Sequence, residues 1–166
     1  MSNLRYYLGL LKSPGKWGRT VRTWVLRRKG MRIDSRAVIR FPFNYRHLKH
    51  IEIGEGAVIG EFGFLVAGPG SHIKIGKNTL LAPNVHINTV QHNYRDVETP
   101  INFQGSSEED VEIGEDCWLG TGVIVLKGVK VGKGTVVGAG SVVVRDTGNY
   151  NVVAGVPTRF VKKRWE

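Results

Sequence analysis

The stretch IGEDCWLGTGVIVLKGVKVGKGTVVGAGSVVV, Ile113 to Val144, decides the fold. Ile113, Leu119, Val125, Val131, Val137 and Val143 are apolar at a strict interval of six. The next residue is glycine in four of the six cases: Gly114, Gly120, Gly132 and Gly138. Four places after each anchor stand Cys117, Val123, Val129, Thr135, Ser141 and Thr147, all small or β-branched. Ordinary strands alternate with period two and would not hold apolar residues and glycines in a frame of six. A fixed frame of this kind marks a solenoid. Each hexad is one short strand plus a turn, and glycine makes the turn without a Cβ penalty. The anchor points inward and stacks on its equivalent eighteen residues away, one coil up. A lone coil cannot bury its apolar face, so the coils must stack.

Working outward, an earlier block repeats the phase. Ile53-Gly54-Glu55-Gly56-Ala57-Val58 leads into Ile59-Gly60. Ile75-Gly76-Lys77-Asn78-Thr79-Leu80 leads into Leu81-Ala82-Pro83-Asn84-Val85-His86 and Ile87. The weaker Ile33-Asp34-Ser35-Arg36-Ala37-Val38, then Ile39, is the candidate first coil. Two interruptions stand out. Phe64 to Ile73 breaks phase around Gly68-Pro69-Gly70, a turn signal. Thr89 to Val111 breaks it for longer and contains five acids. Long unpatterned excursions from a solenoid are usually functional loops.

The 166 residues suffice for one domain with a real core. Cys117 is the only cysteine, so no disulfide framework within the chain demands an oxidising compartment. Every stretch free of charges is short or polar, so no transmembrane helix is expected. The arginines near the N-terminus are interleaved with apolar residues, unlike a signal peptide. A cytoplasmic protein is the expectation. The net charge of +10 is unevenly placed. Residues 1–40 hold eleven Lys/Arg against Asp34 alone, and residues 41–166 hold thirteen bases against thirteen acids.

That asymmetry divides the chain into a basic helical segment, 1–30, and a β-helix, 31–166. Leu4, Tyr7, Leu8 and Leu11 form a helical stripe, Ser13-Pro14 reads as a cap, and Trp17, Val21, Trp24 and Val25 form a second stripe. Gly30 is the stop. Two readings stay open for this segment. It is a cap over the open end of the solenoid, as terminal repeats require. Alternatively it is a basic amphipathic surface that docks on anionic lipid, at the inner face of the membrane. Nucleic acid fits poorly, since no nucleic-acid module follows it.

Asn84 to Lys163 resembles the hexapeptide-repeat acetyltransferases, in particular the maltose/galactoside O-acetyltransferase type and relatives that acetylate bacterial surface polysaccharides. The matching residues run from Ile75 to Val85, then Gln91-His92-Asn93-Tyr94, Pro100-Ile101, Val111 to Gly120 through Trp118, Gly138-Ala139-Gly140-Ser141, and Val153-Ala154-Gly155-Val156-Pro157-Thr158-Arg159. The resemblance implies an all-β fold, a left-handed parallel β-helix with an extended loop near 89–111. It also implies a homotrimer with active sites between adjacent subunits, acetyl-CoA as co-substrate, and a sugar or glycan acceptor.

Acetyl transfer to a hydroxyl needs a base, donors for an oxyanion, and a slot that holds the thioester carbonyl in line. Histidine suits the first task because it titrates near neutrality. Among His47, His50, His72, His86 and His92, the resemblance assigns His92 as general base. Asp96 and Glu98 are candidates to orient it. For coenzyme A it points to Trp118, Thr121, Ala139, Val144, Arg145, Arg159 and Lys162, with Lys163 and Arg164 as further partners for phosphate. Asn84, His86 and Tyr94 are candidate acceptor contacts. The family's sugar enzymes carry an asparagine in an earlier coil near the acceptor, where this chain has Phe62-Gly63-Phe64. N-acetylation of an amino sugar or nucleotide sugar and a non-catalytic structural trimer remain alternatives. Zinc on His72, His86 and His92, as in β-helical carbonic anhydrases, would need the three to converge; no metal is expected.

Overall fold

A computed structural model describes residues 16–166, with side chains from Thr20 onward. The stripe of Leu4, Tyr7, Leu8 and Leu11, the Ser13-Pro14 cap and the side chain of Trp17 lie outside the described residues. From Arg32 the chain winds as a three-faced parallel β-helix. Face A stacks Arg32–Ile33, Ile51–Ile53, Ile73–Ile75, Val111–Ile113 and Lys130–Val131. Face B stacks Val38–Ile39, Val58–Ile59, Leu80–Leu81, Trp118–Leu119, Val136–Val137 and Asn151–Gly155, with Thr158–Lys163 added antiparallel at the edge. Face C stacks Phe43–Arg46, Gly63–Val66, His86–Asn88, Ile124–Val125 and Val142–Val143. This is the architecture expected of a left-handed β-helix.

The inward column of each face is the anchor series. Ile53, Ile75, Ile113 and Val131 are in register on face A, and Ile59, Leu81, Leu119 and Val137 on face B. All eight are at most 2% exposed, so the core is one continuous stack. The small polar residues of the frame are also buried. Thr79 Oγ1 donates to the Gly114 carbonyl at 2.7 Å and Thr135 Oγ1 to that of Gly148 at 2.8 Å. Both hydroxyls are therefore satisfied by the next turn up, as buried polar groups require. Glycine at the corner is demanded by the stacking itself. A Cβ on Gly76 would stand 2.5 Å from the Gly114 carbonyl carbon.

The eighteen-residue stacking interval holds only toward the C-terminus, where Glu112 pairs with Lys130. Lower coils are longer: Arg32 pairs with Glu52, Ile51 with Ile73, and Ile73 with Val111. Every extra residue leaves the coil at one corner, between faces C and A. The other two corners keep constant length, because the stacked backbones at both leave no room for insertion. Phe64 belongs to a face C strand, so the first interruption begins only after Val66.

The helix Lys16–Arg28, α1, closes the N-terminal end against the first coil. Gly30 takes φ +101°, and the Gly30 and Met31 amides return to the Arg27 and Leu26 carbonyls. That is a Schellman stop, completed by burial of Leu26 and Met31. The buried side of α1 is Arg22 and Leu26, whereas Trp24 is 53% exposed. The stripe read from Val21, Trp24 and Val25 is thus rotated. Arg22 wins the inner position because its guanidinium lies 4.5 Å from the Phe41 ring centroid. Among the described residues no helix is long and apolar enough to cross a membrane.

Candidate active site

The corner between faces C and A carries the long excursion. Val90–His92 pairs antiparallel with Ser106–Glu108, opposing His92 to Ser106. This hairpin is almost wholly polar, so apolar burial cannot hold it. Three consecutive acids do. The Glu108 carboxylate accepts the Gly70 amide at 2.8 Å and the Ser71 hydroxyl at 3.1 Å. Glu109 pairs with Lys127 of the coil above. Asp110 accepts the His72 amide at 2.7 Å. Beneath them Ser71 and Thr89 are buried and share a 2.6 Å hydrogen bond. The excursion is thereby fastened to the turn below it and the coil above.

His92, Tyr94, Arg95 and Lys127 line a cavity of about 470 Å³ with Gln91, Asn93, Asp96 and Gln104. His92 and Tyr94 are exposed within it. Among the described residues the His92 ring has no hydrogen-bond partner. Asp96 serves its own loop: Thr99 and the Glu98 amide hydrogen-bond its carboxyl and hold it below the ordinary carboxylate value. Gln104 ties the same loop through the Asp96 and Thr99 carbonyls, at 2.7 and 2.6 Å. Glu98 makes no side-chain bond in it.

A second set of candidates lies elsewhere. Asn84, Thr121 and Ala139 occupy successive coils of the corner between faces B and C. The Gly122 amide donates to Pro83 and the Gly140 amide to Thr121, which stacks the three turns directly. Trp118 projects from face B beside this corner, 51% exposed, and His86 from face C. Val144 and Arg145 follow face C and so lie on the His92 corner, above Lys127. Arg145 and Arg159 converge on a cleft of about 250 Å³ at the C-terminal end, with Thr147, Asn151 and Phe160. Lys162 is exposed on the edge strand and is not part of that cleft. Lys163 donates to Asn151 Oδ1 at 2.7 Å, and Arg164 pairs with Asp116 at 2.7 Å. The single chain therefore separates His92 from Trp118, Thr121 and Ala139, on different corners of the prism.

The outward residues differ sharply between faces. Face A reads Arg32, Glu52, Lys74, Glu112, Lys130 in direct register, alternating in sign, with Arg32–Glu52 and Lys74–Glu112 at 3.8 Å. Face B reads Val38, Val58, Leu80, Trp118, Val136, Val152, without a charge. Face C presents Asn44, Phe64, His86, Ile124 and Val142. The stack on face B is a contiguous apolar strip, of a length that is unusual on an exposed surface. Among the described residues no three His, Cys, Asp or Glu side chains are grouped to hold a metal ion.

A family model, bacterial transferase hexapeptide (six repeats), matches residues 110–145. The chain belongs to the hexapeptide-repeat transferase family. Within that family it is 38% identical over 136 residues, 81% of the chain, to a protein of Dictyostelium discoideum named as a candidate acetyltransferase. The chain spans 66% of that protein's length. Among solved hexapeptide-repeat structures, a repeat-containing acetyltransferase of Vibrio cholerae superposes with a TM-score of 0.80 at 26% identity, covering 98% of this chain and 89% of that one. A maltose O-acetyltransferase of Clostridium difficile gives 0.78 at 28% identity, over 98% and 84%.

The carboxylates that hold the hairpin were not read from sequence as anchors. Glu108, Glu109 and Asp110 stand in a polar run that reads as solvated charge. Their partners, Gly70, Lys127 and His72, lie 18 to 38 residues away. The available signal was the glycine pair around Pro69, which leaves room for a carboxylate against the turn.

Proposed function

We propose that the protein is an acetyl-CoA-dependent O-acetyltransferase acting on a sugar hydroxyl of a bacterial surface polysaccharide or its precursor. The observation that carries the reading is the separation of His92 from Trp118, Thr121 and Ala139, which stand at a different corner. A base on one corner and a coenzyme groove on another cannot serve the same acetyl group within one chain. They can do so between two chains, and the uncharged parallel stack from Val38 to Val152 of face B, with Ile124 and Val142 of face C, supplies the surface for a homotrimer. The salt-laddered face A then faces solvent.

In such a site His92 of one subunit takes the proton of the acceptor hydroxyl as its oxygen bonds to the thioester carbonyl carbon. Backbone amides at the Thr121–Ala139 corner of the neighbour meet the oxyanion. The C–S bond then breaks, and the thiolate leaves as coenzyme A with the proton from His92. Trp118 flanks the pantetheine arm, and small Ala139 lets it pass. Arg145 and Arg159, converging at the C-terminal end, hold phosphate; the guanidinium fork suits its oxygens. Asn84, His86 and Tyr94 border the acceptor. We place the enzyme in the cytoplasm, with residues 1–30 contacting the inner membrane face. The charge asymmetry and the exposed Trp24 beside Arg28 support that placement.

The test is thiol release from acetyl-CoA over a panel of sugars, nucleotide sugars and glycan fragments, wild type beside His92→Ala. Turnover by the wild type with a hydroxyl acceptor, reduced roughly 10²–10⁴-fold in the variant, is expected for loss of a general base. Turnover unaffected by His92→Ala would refute the assignment.

A further inference from the structure

The left-handed corner position between faces B and C is occupied, coil by coil, by Phe62, Asn84, Gly122 and Gly140, with φ of 60°, 59°, 72° and 67°. Glycine and asparagine adopt this conformation readily; a phenylalanine does so at a cost of about 1–2 kcal/mol. Two other bulky residues take this conformation, His47 before the short turn Leu48–His50 and Tyr150. Tyr150 has an evident reason: it covers Gly134 and meets Trp165 at 6.2 Å. Phe62 does not recover the strain by burial, being 55% exposed, and among the described residues it has no ring or cation–π partner. Two residues on, Phe64 projects from face C, 41% exposed, its ring 5.7 Å from that of His86. Three aromatic rings therefore stand beside the lower end of the Asn84–Thr121–Ala139 corner, where the coenzyme groove is proposed. Strain held at an exposed residue is the pattern of a ligand-contacting position.

We propose that Phe62 and Phe64, with His86 between them and the groove, form an aromatic platform that stacks on the C–H face of a pyranose acceptor. The inference rests on the acetyltransferase reading for which sugar hydroxyl reacts, but not for sugar binding itself. The platform selects acceptors that offer an unbroken face of axial C–H bonds next to the reacting hydroxyl. A sugar with an axial hydroxyl on that face would lift the ring off Phe62 and lose the contact. The acyl donor, meeting Trp118 and Ala139 further along the groove, does not touch the platform.

The test uses the full chain, as wild type, Phe62→Gly and Phe64→Ala. Acceptor KM, acetyl-CoA KM, thermal midpoint and sedimentation are measured for each. Glycine suits φ +60°, so Phe62→Gly should leave the midpoint unchanged or raised. Each variant should raise acceptor KM about three- to tenfold, the range of an aromatic stacking contact, with acetyl-CoA KM unchanged. A lowered midpoint or a dissociated assembly for Phe62→Gly would assign the ring to packing or to the subunit interface and overturn the proposal, as would an unchanged acceptor KM. Saturation-transfer NMR with methyl pyranosides separates this from the enzymatic reading. Ring C–H saturation that disappears in both variants supports the platform even if no thioester is cleaved. Saturation equal in all three proteins refutes it even if acetyl transfer is established.

Discussion

Removing the Glu108 carboxylate should loosen the hairpin that carries His92 while leaving the solenoid intact. Glu108 accepts two hydrogen bonds, from the Gly70 amide and the Ser71 hydroxyl. Bonds to a charged acceptor contribute about 1.5–3 kcal/mol each when the loss leaves a partner unsatisfied. Neither partner is left so. Ser71 keeps Thr89 at 2.6 Å, and the Gly70 amide is open to water. The expected loss for Glu108→Ala is therefore at the low end, about 1–2 kcal/mol in total. It falls on the hairpin, because every stacking contact of the core remains. Native-state hydrogen exchange should show hairpin amides that exchange by local opening losing protection roughly five- to thirtyfold, since 1.4 kcal/mol is a factor of ten. Amides of Leu81, Leu119 and Val137 should keep theirs. A methyl at Gly68 would collide with the same carboxylate. Gly68→Ala should thus reproduce the effect, and the double variant should be less than additive. Hairpin protection unchanged in Glu108→Ala, or full additivity with Gly68→Ala, would refute the anchoring argument.

Two further outcomes follow from the same geometry. Leu119→Ala removes a fully buried side chain stacked between Leu81 and Val137, and chemical denaturation should show a loss of about 3 kcal/mol; a loss below about 1 kcal/mol would mean the column is not close-packed. The Asp96 carboxyl is held below its ordinary value of 3.8 by Thr99 and the Glu98 amide. Its contribution to loop order is present above pH 3.8 and disappears as pH falls through the lowered value. NMR of the Glu98 and Thr99 amides should show that change only below about pH 4 in the wild type and not in Asp96→Asn; an Asp96 titration at or above the ordinary value would contradict it.

The fold was legible because a solenoid is nearly one-dimensional. One coil of hexads states the rule, and the register of Ile113, Leu119 and Val125 repeats it upward and downward. The interruptions were legible as interruptions, but not their shared location. Local sequence does not say that the extra residues at 47–50, 67–72 and 89–110 all leave by the same corner; that depends on stacking at the other two. Candidate residues could be named where a motif marked them, at His92, Trp118 and Ala139. The anchoring of the hairpin was unreadable, because its partners lie far apart in the chain, as with Glu108 and Gly70 or Glu109 and Lys127. On α1, Trp24 is the more apolar residue and Arg22 the buried one, because Phe41 offers a ring face that hydropathy does not register.

The central claim is that one subunit's His92 works with a neighbour's Trp118–Ala139 groove. It is tested by mixing two inactive variants, His92→Ala and Ala139→Trp, unfolding them together and refolding at equal amounts. In a cyclic assembly each site takes its base from one subunit and its groove from the next. About one quarter of the sites in random mixtures would then be intact, and acetyl transfer should return to about that fraction of wild type. Mixed assemblies that stay inactive would contradict the account and return the site to a single chain.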